Sequence, residues 1–457
     1  MEQIVVALDT GSSRLKALAA RKNLGKLSVL HAESLPSEKA IRRGRVYNLD
    51  ETSDLISKLI RNLNAHLPSP VEKIYAGIGG QSLRTIPFSV KRSVESGSAV
   101  GQQLLESMKE EAKTYKPEWD DNLEVVSEEY FVDGQLTFNP KGALASGVEA
   151  RFLLAVGNPC LKGHLQKVFS KIDISVEYFI SPIATAEAVL TPEEKELGCA
   201  LLEFGEEVTY VSVYKNRALR FIITLPLGGL AITKDIRSLN VSEEEAEALK
   251  IKHGRVGSES TDNGEVSVNE EQNSSRKIEL KNLNLVVKAR ADEIIKNVWN
   301  QIQLSGYSQT LDAGIVITGG GALLRDLPAY IRNFTGKEVR LAGAKTGIDR
   351  TETQLSPADS CVVGLAILGK ETSLKAPEKI VQQDIFGETE VRVQEKKRKK
   401  DPAPQTNTNT PLNKLKSIFT RGIIDMVDKG QATLFKDEDY DNTDTQPVEG
   451  KNNNTKK

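Results

Sequence analysis

The chain has 457 residues, 39% hydrophobic and 27% charged, enough for two or more domains around sizeable cores. Lys and Arg number 61 against 63 Asp and Glu, a net charge of −2, so no global field steers the chain to nucleic acid and no such partner is expected. Cys160, Cys199 and Cys361 lie far apart in apolar surroundings and the four histidines show no metal-ligand spacing, which argues for a reducing compartment and against a disulfide or a zinc site.

In chain order, residues 4–8 (Ile-Val-Val-Ala-Leu) read as a strand that runs into Asp9-Thr10-Gly11-Ser12-Ser13, a phosphate-sized turn. Small residues there let backbone N–H groups approach an anion with no Cβ in the way. There is no basic segment ahead of an apolar one, and no run of about 18 apolar residues occurs, so neither a standard export signal nor a membrane span is expected. A second strand reaches residue 18 and a third covers 27–32. Leu55, Ile56, Leu59, Ile60 and Leu63 recur at helical spacing over 51–67, where Pro68 and Pro70 end the helix. Residues 74–78 are a buried strand. From 79 to 159 alternating strands surround one helix, 101–115, as in a small inserted α+β subdomain. Its strand 152–156 is expected to need another surface to cover it, which favours self-association.

A helix over 159–172 precedes a return of the opening pattern: strand 198–203, turn 204–208, strands 209–214 and 218–225, a degenerate internal duplication. A Glu- and Ala-rich helix is expected over 242–252, and the polar stretch 254–276 reads as a mobile loop. The helix 285–304 leads through the strand Ala313-Gly314-Ile315-Val316-Ile317 into a second glycine loop, Thr318-Gly319-Gly320-Gly321-Ala322. Three consecutive glycines are poor core filler, which favours close approach of a ligand there. An apolar helix over 357–368 closes the globular part.

Residues 371–410 form an aperiodic linker with a basic run, Lys396-Lys397-Arg398-Lys399-Lys400. One patterned segment follows, 411–430. At 100° per residue Leu412, Leu415, Phe419, Ile423, Met426 and Val427 fall within about 120° of arc, an apolar stripe of an amphipathic helix. Lys416 lies in the stripe and has to snorkel. With the basic run upstream, an anionic membrane surface suits this helix better than docking on the protein body. The tail 431–457 is polar, locally acidic and reads as disordered.

These residues resemble the actin and Hsp70 ATPase superfamily and, more narrowly, FtsA, the bacterial division family that tethers FtsZ to the membrane. Residues 7–13 with Lys16 are similar to the first phosphate loop, and 316–322 to the adenosine loop. Closer to FtsA are Leu225-Pro226-Leu227-Gly228-Gly229 with Thr233-Lys234-Asp235-Ile236, and Ala246-Glu247-Ala248-Leu249-Lys250 with His253-Gly254. Within the insert, Asn139-Pro140-Lys141-Gly142 resembles the family's Asn-Pro-x-Gly. The resemblance implies an α/β, actin-like (ribonuclease H-like, duplicated) fold: subdomain 1A from 1–79 and 161–197, an SHS2-like subdomain 1C at 80–160, and 2A/2B with the closing helix at 198–370.

The second phosphate loop departs from the family. Where the family reads Asp-x-Gly-Gly-Gly-Thr-Thr-Asp, this chain has Glu203-Phe204-Gly205-Glu206-Glu207-Val208-Thr209-Tyr210. Carboxylates about 4 Å from phosphate cost on the order of 1–4 kcal/mol per charge pair at partly exposed dielectrics, so weak ATP binding and at most a weak ATPase are expected. Asp9 survives as the acidic candidate for Mg²⁺ in the two loops; its bland alternative is a cap of the Ser12/Ser13 turn. The expected nucleotide contacts are Asp9, Gly11, Ser12, Ser13, Lys16, Gly205, Glu247, Lys250, Gly319, Gly320 and Gly321. Lys16 reads equally as a solvated strand residue, and Glu247 with Lys250 as an i,i+3 ion pair. No catalytic nucleophile is indicated.

The resemblance implies a tethering protein at the cytoplasmic face of the inner membrane, with the FtsZ C-terminal peptide, a second copy of itself, the anionic membrane surface and other divisome proteins as partners. Lys288, Arg290 and Lys296 are the expected peptide contacts; Arg290 resembles an arginine of FtsA that touches the peptide. The rivals are a superfamily ATPase or kinase, and a pilus-assembly actin homologue.

Overall fold

The computed structural model describes residues 3–375 apart from 24–25, 38, 96–97, 258–263, 270–274, 345–347 and 350–354. The membrane stripe Leu412 to Val427 and the basic run Lys396 to Lys400 lie outside the described residues.

Strands β1 (Gln3–Thr10), β2 (Arg14–Asn23) and β3 (Lys26–Pro36) form an antiparallel meander. A short hairpin, β4 (Ile41–Arg42) and β5 (Arg45–Val46), precedes helix α1 (Leu49–Asn64) and strand β6 (Lys73–Ile78). Asn48 caps α1 by accepting the Glu51 N–H at 3.2 Å, and Ile56, Leu59, Ile60 and Leu63 form its buried stripe. The insert consists of β7 (Arg84–Ser93), α2 (Gln102–Thr114), β8 (Asp121–Val132), β9 (Gln135–Leu136) and β10 (Gly147–Gly157). The chain then returns through α3 (Cys160–Ile172), β11 (Ser175–Ile180), α4 (Ser181–Val189) and α5 (Pro192–Leu197).

The second half repeats the scheme with β12 (Cys199–Phe204), β13 (Thr209–Lys215) and β14 (Ala218–Leu225), then α6 (Gly229–Ile236) and α7 (Glu243–His253). It continues with β15 (Glu265–Asn269), β16 (Ser275–Glu279), α8 (Leu280–Leu304), β17 (Ile315–Thr318), α9 (Leu327–Thr335), β18 (Val339–Leu341), β19 (Ile348–Asp349) and α10 (Ser360–Leu368). The strand order β3-β2-β1-β6-β11 in one sheet matches β14-β13-β12-β17-β18 in the other, with the last three strands parallel each time. The expected duplication is therefore topological as well as sequential, and the fold is actin-like. The two first turns match in detail: a Cβ on Gly11 meets the Arg14 carbonyl at 2.9 Å, and one on Gly205 meets that of Val208 at 2.8 Å.

Several expectations need correction. Residues 254–276 are not all loop, because β15 and β16 pair as a hairpin; their polar composition hides a two-residue alternation that sets Val266 and Ile278 on the second core. Helix α8 begins five residues before the expected start at Leu285, since Leu283 and Val287 are buried one turn apart despite the helix-weak Asn282 and Asn284. The ordered chain runs past residue 370: Ser373 donates its N–H to Ile4 O at 2.7 Å and accepts the Val6 N–H on Oγ at 2.8 Å. The closing helix α10 belongs with the first half in space, where its residues join the first core against α4 and β1.

The strand 152–156 does not lie uncovered. It is the middle of β10, paired on both edges by β7 and β8, and Phe152, Leu154 and Val156 share a core with Leu105, Met108 and Ala112 of α2. The insert also joins the second half: β7 continues that half's sheet at Ile223↔Arg84, and Arg220 pairs with Glu129 at 2.7 Å.

Candidate functional site

The two glycine loops face each other across a cavity of about 270 Å³ between the halves. All the expected nucleotide contacts line it: Asp9, Gly11, Ser12, Ser13 and Lys16 from the first turn, Gly205 from the second, Glu247 and Lys250 from α7, and Gly319, Gly320 and Gly321 from the second glycine loop. Convergence follows from the duplicated topology, which sets the β1–β2 and β12–β13 turns at facing sheet ends. Main-chain rich loops with few side chains in the way fit the phosphates and sugar of a nucleotide.

The glycines have a packing reason too. Gly319 has φ 89°, and a Cβ there comes within 2.4 Å of Phe204 O; one on Gly321 comes within 3.0 Å of Phe204 Cβ. Two of the three are thus required by the approach of the second turn, independently of any ligand.

The charged groups are mostly engaged. The Lys16 ammonium donates to Ala358 O and pairs at 3.2 Å with Asp359, whose carboxylate is fully buried and also accepts the Ser356 N–H at 2.8 Å. Neither a solvated lysine nor an unengaged phosphate ligand describes it. Glu247 and Lys250 form the i,i+3 ion pair at 2.7 Å, and Lys250 donates to Thr233 Oγ1 at 2.9 Å and to Gly229 O at 3.0 Å. They remain on the cleft wall, so the pair and a sugar contact are compatible.

Burial governs the acids. It raises the Asp9 carboxyl above its usual range, with Lys16 opposing. Burial, reinforced by the Asp9 charge, pushes Glu203 up to about 8, and its Oε2 has no hydrogen-bond partner. Glu206 rises to about 7 by burial and by the neighbouring Glu207 and Glu247 charges. At neutral pH the cleft is therefore less negative than its five carboxyls suggest. Among the described residues no group of three or more His, Cys, Asp or Glu side chains is arranged to hold a metal ion.

Sequence reasoning missed part of the wall. Gly44 of the β4–β5 hairpin, Gly79 after β6, Ser181 of α4, Cys361 of α10 and Arg325 beyond the glycine loop all line the cavity. The Arg42-Arg43-Gly44-Arg45 turn and the pair Gly79-Gly80 were visible signals, because such residues mark tight turns. The Tyr210 hydroxyl reaches across from β13 to this place: a Cβ on Gly79 falls 2.3 Å from it, and one on Gly44 3.2 Å.

Lys288, Arg290 and Lys296 lie on α8, away from the cavity. Arg290 grips Asp235 of α6 through two hydrogen bonds at 2.6 and 3.0 Å and also meets Glu293; Lys296 pairs with Asp292 at 2.6 Å. Among the described residues no helix is long and apolar enough to cross a membrane.

The solved PilM from a PilM–PilN type IV pilus biogenesis complex superposes with a TM-score of 0.57 over 79% of this chain and 97% of its own, at 16% identity, a likeness of fold. The family model for cell division protein FtsA matches residues 200–364. The FtsA of Porphyromonas gingivalis is 30% identical over 360 residues, 77% of this chain and 74% of the relative. That of Bacillus subtilis is 25% identical over 442 residues, 91% and 99% of the two chains. With a duplicated actin-like body, paired glycine loops around one cleft and this extent of identity, the chain belongs to the family of the cell division protein FtsA.

Proposed function

We propose that the chain tethers FtsZ filaments to the cytoplasmic face of the membrane, with a nucleotide held in the cleft as a structural element. Family membership, at 30% identity across 77% of the chain, is the observation that carries this reading. The stripe of 412–427 supplies the membrane contact, helped by the basic run at 396–400; either signal alone is marginal, whereas two together bind stably. The face of α8 bearing Lys288, Arg290 and Lys296 receives the acidic C-terminal peptide of FtsZ, and copies of the chain associate as an actin-like filament that recruits other division proteins. ATP with Mg²⁺ is the cofactor: Gly11 to Ser13 and Gly205 face its phosphates, Gly319 to Gly321 its adenosine, and Glu247 and Lys250 its sugar.

In this reading the tasks are separate, since α8 lies on the second half and the amphipathic segment follows the body along the chain. Co-sedimentation with anionic liposomes tests the reading. The full chain is expected to pellet and to bring FtsZ with it, and a chain without residues 411–430 is expected to leave both in solution. Full pelleting by the truncated chain would refute the membrane role of the segment. FtsZ left behind by a pelleting full chain would refute the tether.

A further inference from the structure

Two residues that depart from the family's second phosphate loop, Glu207 and Tyr210, both reach across the cleft to the β4–β5 hairpin. The tip of that hairpin is a two-residue turn with Arg43 at φ 49° and Gly44 at φ 76°. Such a turn is the natural closure of a twisted hairpin, and it presents successive main-chain N–H groups. The Gly44 N–H donates to Ser12 Oγ in the first phosphate loop at 3.0 Å. The Arg43 N–H donates to the Glu207 carboxylate. The Arg43 guanidinium turns aside to Gln81 Oε1 at 3.0 Å, while its carbonyl accepts the Gln81 N–H at 3.0 Å. The tip is thereby fixed between both phosphate loops, and its Gly44 lines the cavity.

A carboxylate accepting from the Arg43 main-chain N–H is chemically a stand-in for a phosphate. We infer that the tip at Arg43 and Gly44 is the subsite for the terminal phosphate of the nucleotide, and that Glu207 is a built-in competitor for it. The inference rests on the nucleotide reading of the cleft. A triphosphate has to displace Glu207 to make the hairpin contact, whereas a diphosphate ends short of it and leaves the Glu207–Arg43 clasp intact. The chain therefore binds ADP about as well as ATP, and the Glu207–Arg43 clasp persists with ADP but not with ATP. Because Tyr210 packs its hydroxyl on Gly44 and Gly79, displacement moves only the Glu207 side chain and not the hairpin.

The test is amide hydrogen exchange at Arg43 in the full chain with Mg²⁺, together with calorimetric titration of ATP and ADP. Wild-type protein is expected to protect the Arg43 amide without nucleotide and to bind the two nucleotides within about threefold of each other. Glu207→Ala is expected to expose that amide to exchange by at least tenfold, and to favour ATP over ADP by tenfold or more. In this variant ATP should restore protection and ADP should not. Glu207→Gln, which keeps an acceptor but loses the charge, should retain part of the protection, separating the hydrogen bond from simple charge repulsion. Equal restoration by ADP and ATP, or none by an ATP that calorimetry shows to be bound, overturns the inference and leaves the nucleotide reading standing. If neither protein binds either nucleotide at millimolar concentration, the reading itself falls and the inference with it.

Discussion

Replacing Glu203 by Gln should remove a pH-dependent weakness of the fold. Its carboxyl is pushed from an ordinary 4.5 up to about 8, mainly by burial and then by the Asp9 charge. Between those two values the folded protein keeps a proton that the unfolded chain has released. The folded state then binds more protons than the unfolded one, so stability falls as pH rises through this window and levels off above about 8. Each pH unit inside the window amounts to about 1.4 kcal/mol. Gln carries no proton to lose in either state, so the variant lacks this dependence. All other titrating groups are common to both proteins and cancel in the difference. The advantage of Glu203→Gln over wild type should therefore grow by about 2.7 kcal/mol between about pH 5.5 and 7.5. Urea unfolding followed by far-ultraviolet circular dichroism at the two pH values gives this number without needing the absolute cost of the substitution. A difference constant to within about 0.5 kcal/mol would mean that the carboxyl is ionised in the folded protein, and the reasoning from its burial would be refuted.

Asp359→Ala should cost about 3–5 kcal/mol, because it leaves the nearly buried Lys16 ammonium without its carboxylate; thermal unfolding of this variant beside Lys16→Met with Asp359→Ala should show recovery in the double variant. Gly364→Ala should destabilise by about 3 kcal/mol or more, since the new Cβ falls 1.7 Å from Ala184 O and forces α10 off α4, whereas Gly163→Ala in α3 meets nothing within 4 Å and should gain about 0.5–1 kcal/mol. If FtsZ peptide binds through Arg290, Asp235→Asn should tighten that binding by releasing the guanidinium and Arg290→Ala should weaken it; peptide affinities unchanged in both would exclude Arg290. The Arg290–Asp235 pair is itself partly exposed and should contribute only about 1 kcal/mol to the fold.

What was legible in the sequence follows from how local each constraint is. The glycine loops could be found because a backbone that approaches another backbone or an anion needs glycine at fixed places, and Gly11, Gly205 and Gly319 all meet a carbonyl closer than a Cβ tolerates. The duplication was legible because both meanders open on a strand with the same run of apolar, buried residues before its turn. Pairings across the cleft were not. Lys16 and Asp359 are 343 positions apart, and Arg43 and Glu207 164 apart, so nothing in either neighbourhood announces the other. The β15–β16 hairpin was lost for a different reason: composition outweighed period, and one Val and one Ile facing the core were enough to decide the outcome. Uncovered strand 152–156 was a similar error, since α2 (Gln102–Thr114) lies well upstream and the pattern of β10 does not show which helix will cover it.

The state of the carboxyls bears on whether the cleft turns over its nucleotide. Activating water for attack on a phosphate takes an ionised base within hydrogen-bond reach, with a pKa matched to the working pH. Glu203, at about 8, is neutral at pH 7; Tyr210, which stands where the family has its terminal Asp, is held by burial well above the usual phenol range. Glu207 is committed to the hairpin. Asp9 remains, itself raised by burial, and so does Glu206, whose carboxyl at about 7 lies on the cavity wall. A nucleotide retained in the cleft would stabilise the folded state by RT ln(1 + [L]/Kd), about 2.7 kcal/mol at a concentration one hundred times Kd. For the proposed tether, a closed body that persists matters more than a cycle. The clasp by Glu207 and Tyr210 supplies part of that closure from the chain itself, which makes the nucleotide dependence of the proposed filament the sharpest test of the altered loop.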